Sequence, residues 1–104
     1  MTHPTSAPTP AIESVWFVEA TYAPDAAETR TPFRAGHLAE VVRRLEAGIY
    51  ADVGAFADVS ASIVLVRARD AEEAIAIVSD DVYMRNGVWV EVRARAFGRV
   101  TASG

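Results

Sequence analysis

Two short stretches of this chain combine residue types that can move a proton. Arg34-Ala35-Gly36-His37 places a histidine three positions after an arginine and four before Val41, and the chain's other histidine, His3, lies in the first dozen residues. The ordinary pKa of a histidine is close to neutrality, so a modest change of surroundings makes one a competent general acid or base. Asp80-Asp81 supplies a carboxylate that could orient such an imidazole and stabilise its charged form. The helix macrodipole links the two stretches. A helix start disfavours imidazolium, and a helix end disfavours a carboxylate unless it is paired. Each group has a plainer reading: His37 as a structural histidine bonded at a helix start, and the aspartates as a solvated pair closing a helix. Residue chemistry alone leaves both open. Arg34 could grip a carboxylate or phenolate through its planar fork, or simply face solvent. Tyr22 and Tyr83 could offer hydroxyls to the same cleft, or close the core.

Composition removes other chemistries. There is no cysteine, so disulfides, thiolate metal sites and cysteine nucleophiles are excluded. No glycine-rich phosphate loop or GxSxG elbow occurs, and one histidine outside the tail makes a transition-metal site an unpromising expectation. Any catalysis is expected to be cofactor-free. The net charge of −4 arises without a basic block, which argues against nucleic acid as a partner. The longest apolar run, Ile63-Val64-Leu65-Val66, is far short of the roughly 20 residues of a membrane helix. The N-terminus lacks the basic start and apolar stretch of a secretory signal, so a cytoplasmic location is expected.

The elements that must position these groups follow from periodicity. Residues 1–12 read as a flexible Pro/Thr-rich tail, 13–100 as one domain and 101–104 as a short polar end. Val15 to Tyr22 alternates as a strand. Thr31-Pro32 suits a helix start, and Leu38, Val41, Val42 and Leu45 mark the buried face of a helix over about 32–47, ended by Gly48. Ile49–Val53 and Ala61–Ala68 read as strands on either side of a loop with Asp58 and Ser60. Asp70-Ala71-Glu72-Glu73 reads as a capping box opening a helix that buries Ala71, Ala74, Ile75 and Val78. In the last strand, Val88 to Phe97, Val88, Val90 and Val92 alternate against Trp89, Glu91 and Arg93. The order β-α-β-β-α-β predicts an α+β, ferredoxin-like fold with two helices on one face of a four-stranded antiparallel sheet. Strands apolar on both faces predict a homodimer packed through the open sheet face.

Several stretches, read in order, carry a likeness: Ala20-Thr21-Tyr22, Arg34-Ala35-Gly36-His37-Leu38-Ala39, Glu46-Ala47-Gly48 with Gly54, Ala71-Glu72-Glu73-Ala74, Asp80-Asp81-Val82-Tyr83 with Gly87, and Val92-Arg93-Ala94-Arg95-Ala96-Phe97. Together they resemble the YCII-related (YciI-like) family of the dimeric α+β barrel superfamily. The resemblance implies a histidine–aspartate active-site pair at His37 and Asp81, with Arg34 matching an arginine common in the motif. Where the family usually has Asp-Pro, this chain has Asp81-Val82. One branch resembles a dehydrochlorinase acting on a chlorinated hydroxyquinol, and the superfamily includes muconolactone isomerases and cofactor-free monooxygenases. The implied activity is proton transfer of lyase or isomerase type on a small aromatic or carboxylated metabolite. The alternative is a non-catalytic dimeric protein that binds a small molecule or assists an enzyme.

Overall fold

A computed structural model describes residues 9–103, so the tail expectation for residues 1–8 lies outside the described residues. The elements are β1 (Thr9–Tyr22), α1 (Ala26–Thr29), a 3-10 turn (Thr31–Phe33), α2 (Arg34–Glu46), β2 (Tyr50–Ala55), β3 (Ala61–Val66), α3 (Ala71–Ser79), α4 (Val82–Arg85) and β4 (Trp89–Ser103). The four strands form one antiparallel sheet in the order β2-β3-β1-β4, the arrangement of a ferredoxin-like α+β fold. Val18, Ala20, Val64 and Val66 face Ala74 and Val78 of α3 and the aromatic rings of Tyr50, Tyr83 and Trp89 in the core. No helix among the described residues is long and apolar enough to cross a membrane.

β1 and β4 are longer than the alternation predicts. Thr9 to Ser14 pair with Gly98 to Ser103, so the stretches 9–12 and 101–103, expected in the tails, are strand. This part of the sheet is a two-stranded ribbon, because the pairing of β1 with β3 begins only at Trp16. A Cβ added at Gly98 would stand 3.1 Å from the exposed Ile12 side chain, a tight approach that Ile12 could relieve by shifting a few tenths of an ångström.

Helix ends follow local chemistry. Gly48 adopts φ +76°, and the amides of Gly48 and Ile49 reach the carbonyls of Leu45 and Arg44, satisfying the last turn of α2. Asp70 accepts from the Glu73 amide at 2.8 Å as the capping box requires, while the Glu73 carboxylate returns to the Arg69 amide instead of that of Asp70. Thr31 does not cap: Thr31-Pro32 forms the 3-10 turn, and α2 starts at Arg34 with no side-chain cap.

α2 is also rotated from the expected orientation. His37 and Val41 face inward with the half-buried Glu40 and Arg44, while Leu38, Val42 and Leu45 are exposed; Val42 keeps 51% of its surface in water against 8% for Val41. Both faces have helical spacing, and the chosen one brings His37 to its partner across the fold.

Candidate functional site

The site is assembled by α2, the start of α4 and the helix-facing side of the sheet. His37 occupies the fourth position of α2, and Asp81 immediately precedes α4. The position of Asp81 removes the conflict read from the sequence. It does not end α3 but caps α4, its Oδ1 accepting from the Tyr83 amide at 2.8 Å, where a helix start favours negative charge. Asp80 is the residue that ends α3, its side chain is 70% exposed, and it pairs with Arg44 and Arg85. Val82 stands at the first position of α4, where a proline is preorganised and its missing N–H is not needed. The Asp81-Val82 pair therefore preserves the turn that Asp-Pro would make. Gly87, at φ +70°, ends α4, with the Val88 amide reaching back to the Tyr83 carbonyl.

His37 Nδ1 lies 2.8 Å from both Asp81 oxygens. Asp81 is fully buried and His37 is 8% exposed. An ionised carboxylate only accepts, so Nδ1 carries the proton and Nε2 is the nitrogen not committed to Asp81. The His37 ring is stacked on Tyr83 at 3.9 Å between centroids and 9° between planes, and the Trp89 ring meets it edge-on at 5.3 Å. One N–H shared between the two Asp81 oxygens, a stack and a perpendicular ring hold the imidazole in one orientation.

Beside it opens a cleft of about 180 Å³, lined by Tyr22, Arg30, Arg34, His37, Leu38, Val41, Val53, Gly54, Ala55, Ser62 and Tyr83. All of the expected site residues except Asp81 line it, and Asp81 lies behind His37. Ser62 Oγ donates to the Tyr22 hydroxyl at 3.0 Å. Burial pushes the Tyr83 phenol above its ordinary range and the neighbouring Tyr22 adds to this, while the charges of Arg30 and Arg34 pull it back. A larger hollow, about 570 Å³, runs along β4 past Glu19 and Arg93, but it contains no histidine and those two charges face each other at 3.6 Å. The histidine, both tyrosines and the two arginines Arg30 and Arg34 are gathered in the smaller cleft. Among the described residues no group of three or more His, Asp or Glu side chains is placed to hold a metal ion.

Arg30, Ser62 and Trp89 are neighbours of this site that the sequence reading did not select. Arg30 had no helical signal, since it lies in the loop expected before α2, and the 3-10 turn over Thr31–Phe33 separates it from Arg34. Trp89 had none either. The pairing of β1 with β4 shifts between Thr21 and Tyr22, which skips Val90, exposes it, and sets Trp89 opposite Tyr22 on the core face. The alternation read from the sequence had placed Trp89 on the other face.

In fold, the chain is similar to the 5-chloro-2-hydroxyhydroquinone dehydrochlorinase (TftG) from Burkholderia phenoliruptrix AC1100, solved in complex with 2,5-dihydroxybenzoquinone. The TM-score is 0.66 at 17% identity, covering 80% of this chain and 92% of that one. No curated protein matches the chain in sequence. The family model of the YCII-related domain matches residues 15–98, and with that span the chain belongs to the YCII-related domain family.

Proposed function

We propose that this chain is a small cofactor-free enzyme of lyase or isomerase type, transferring a proton on a small aromatic or carboxylated metabolite. The observation that carries the reading is the buried His37–Asp81 contact at the wall of a cleft. Nε2 of His37 takes a proton from an acidic C–H or O–H of the substrate. The imidazolium formed is stabilised by the Asp81 carboxylate at 2.8 Å. The proton returns to another atom of the same molecule in an isomerisation, or accompanies loss of a leaving group in an elimination. Arg34 holds an anionic group, and the Tyr22 and Tyr83 hydroxyls contact the ring. The fold shared with a dehydrochlorinase supports this class of chemistry by analogy.

The test is substrate-neutral. Hydroxylated monocyclic aromatics, including 5-chloro-2-hydroxyhydroquinone, and small unsaturated acids are incubated with the protein in D2O. NMR then reads deuterium incorporation, isomerisation or chloride loss. Turnover that falls at least about 100-fold in His37→Ala and in Asp81→Asn is expected of a positioned acid/base pair. Equal turnover by His37→Ala would end the reading. Compounds that bind without exchange or conversion would identify a small-molecule-binding protein instead.

A homodimer through the open face belongs to the same reading. Phe17, Ile63, Leu65 and Phe97 line an apolar hollow of about 310 Å³ there, on the side of the sheet away from the helices. Arg95 lies 5.3 Å over the Phe17 ring. Sedimentation of the full chain should give a dimer and Phe97→Glu a monomer; a monomeric wild type at micromolar concentration would refute the interface.

A further inference from the structure

The sequence contains ten arginines and no lysine. Seven of the arginines are paired with carboxylates: Arg43, Arg44, Arg67, Arg69, Arg85, Arg93 and Arg99. Arg95 lies over Phe17. Among the described residues only Arg30 and Arg34 have neither kind of partner, and both line the His37 cleft. A chain that pairs its arginines elsewhere and leaves two unpaired at one cleft has room there for an anion.

The two are not equivalent. Arg34 is exposed at the first position of α2, whereas Arg30, between α1 and the 3-10 turn, is half-buried. A charge partly withdrawn from water is screened less and interacts more strongly with what enters the cleft. Tyr83 feels both charges, and Arg30 acts on its phenol more strongly than Arg34 does.

Size limits the occupant as well. A cavity of about 150 Å³ suffices for benzene, and this cleft holds about 180 Å³. One ring with a small polar group fills most of that volume. The apolar wall of Leu38, Val41, Val53 and Ala55 suits the ring, while the planar guanidinium fork suits a carboxylate's two oxygens.

We infer that Arg30, with Arg34 as a weaker second donor, is the principal anion-binding residue of this cleft, and that the ligand class is a monocyclic carboxylate. The inference rests on the cleft being the ligand site, and not on proton transfer by His37.

Benzoate, phenol and 2-naphthoate separate charge from size, since phenol is neutral at pH 7 and 2-naphthoate is a larger carboxylate. Each is titrated by NMR into the full chain as wild type, Arg30→Met, Arg34→Met and His37→Gln. Benzoate should bind the wild type about tenfold or more tightly than phenol, and more tightly than 2-naphthoate. Arg30→Met should remove most of the preference over phenol, Arg34→Met a smaller part, and neither should change phenol binding. As a ligand-free readout, the Tyr83 phenol should titrate at higher pH in Arg30→Met than in Arg34→Met. Benzoate preference retained in His37→Gln supports the anion site even if the proton-transfer reading fails. Equal binding of phenol and benzoate, no benzoate binding in the millimolar range, loss of the preference in His37→Gln, or a larger loss from Arg34→Met than from Arg30→Met would each overturn the inference.

Discussion

Asp81→Asn removes a charge from a fully buried position while leaving an oxygen nearly in place. That oxygen can still accept from the Tyr83 amide, so the α4 cap is retained. The other carboxylate oxygen becomes an NH2 group, so the N–H of His37 keeps only the neutral Oδ1, 2.8 Å away and shared with the Tyr83 amide, and loses its charged acceptor. The loss is a hydrogen bond to a charged acceptor, about 1.5–3 kcal/mol. A protein of this size has about 5–15 kcal/mol in all. Asp81→Ala surrenders the cap too, about 1 kcal/mol more, and should be the less stable variant. His37→Phe can keep the stack on Tyr83 but leaves the buried carboxylate with the Tyr83 amide alone, which costs about 3–5 kcal/mol.

These expectations combine into a double-mutant cycle. Once Asp81 is asparagine, replacing His37 by phenylalanine no longer strands a charge, so the double variant should be more stable than the two single losses predict by about 1.5–3 kcal/mol. Urea unfolding followed by tryptophan fluorescence measures all four proteins, with the buried Trp89 reporting from beside the pair. Losses that add to within about 0.5 kcal/mol would mean that the residues do not interact. The 2.8 Å contact, and every functional argument built on it, would then be wrong.

Other expectations follow from single positions. Val82→Pro should raise stability by about 0.4–1 kcal/mol in urea melts, since Asp81 already has the extended ψ of 146° that precedes a proline and the position is the first of a helix; destabilisation would mean that the Val82 N–H has a partner. Val41→Ala should cost about 2 kcal/mol, whereas Val42→Ala, on the exposed face, should stay within about 0.5 kcal/mol; the reverse order would refute the rotation of α2. The Tyr50 hydroxyl is buried without a partner, and burial raises its pKa, as it does that of Tyr83. The folded state thus holds these protons more tightly than the unfolded chain. Their contribution is complete below the unfolded value near 10 and is lost as pH rises through the folded values, at up to about 1.4 kcal/mol per pH unit per group. Tyr50→Phe should flatten this alkaline loss of stability, read from urea midpoints across pH 9–12.

The order of strands and helices was legible because it rests on local signals. Gly48 ends α2, Asp70 caps α3, and apolar alternation marks β1 and β3. The pairing of His37 with Asp81 was suggested by the family resemblance, since no periodicity connects residues 44 apart. The cap that explains Asp81 was obscured because α4 is only four residues long, too short for a periodic signature, so Asp80-Asp81 read as the end of one helix and not also the approach to another. The β1–β4 bulge, which sends Trp89 inward, is a property of pairing between strands and leaves no pattern in either one.

Most of these differences reduce to one competition. Periodicity identifies which residues of α2 share a face, and it offers two: Leu38, Val42 and Leu45, or His37, Val41 and Arg44. The first would bury more apolar area, worth about 1.5–3 kcal/mol for each side chain fully removed from water. The second supplies a donor to Asp81, whose burial as an unpaired charge would cost about as much as two such side chains. It also lets Glu40 and Arg44 of α2 pair with each other, Glu40 with Arg85 of α4 and Arg44 with Asp80 at the end of α3. Once Asp81 is committed to capping α4 inside the core, α2 must turn His37 inward, and the apolar stripe is left in water. The orientation of this helix is therefore set by a carboxylate in another element, and the same constraint that exposes Val42 fixes the imidazole at the wall of the cleft.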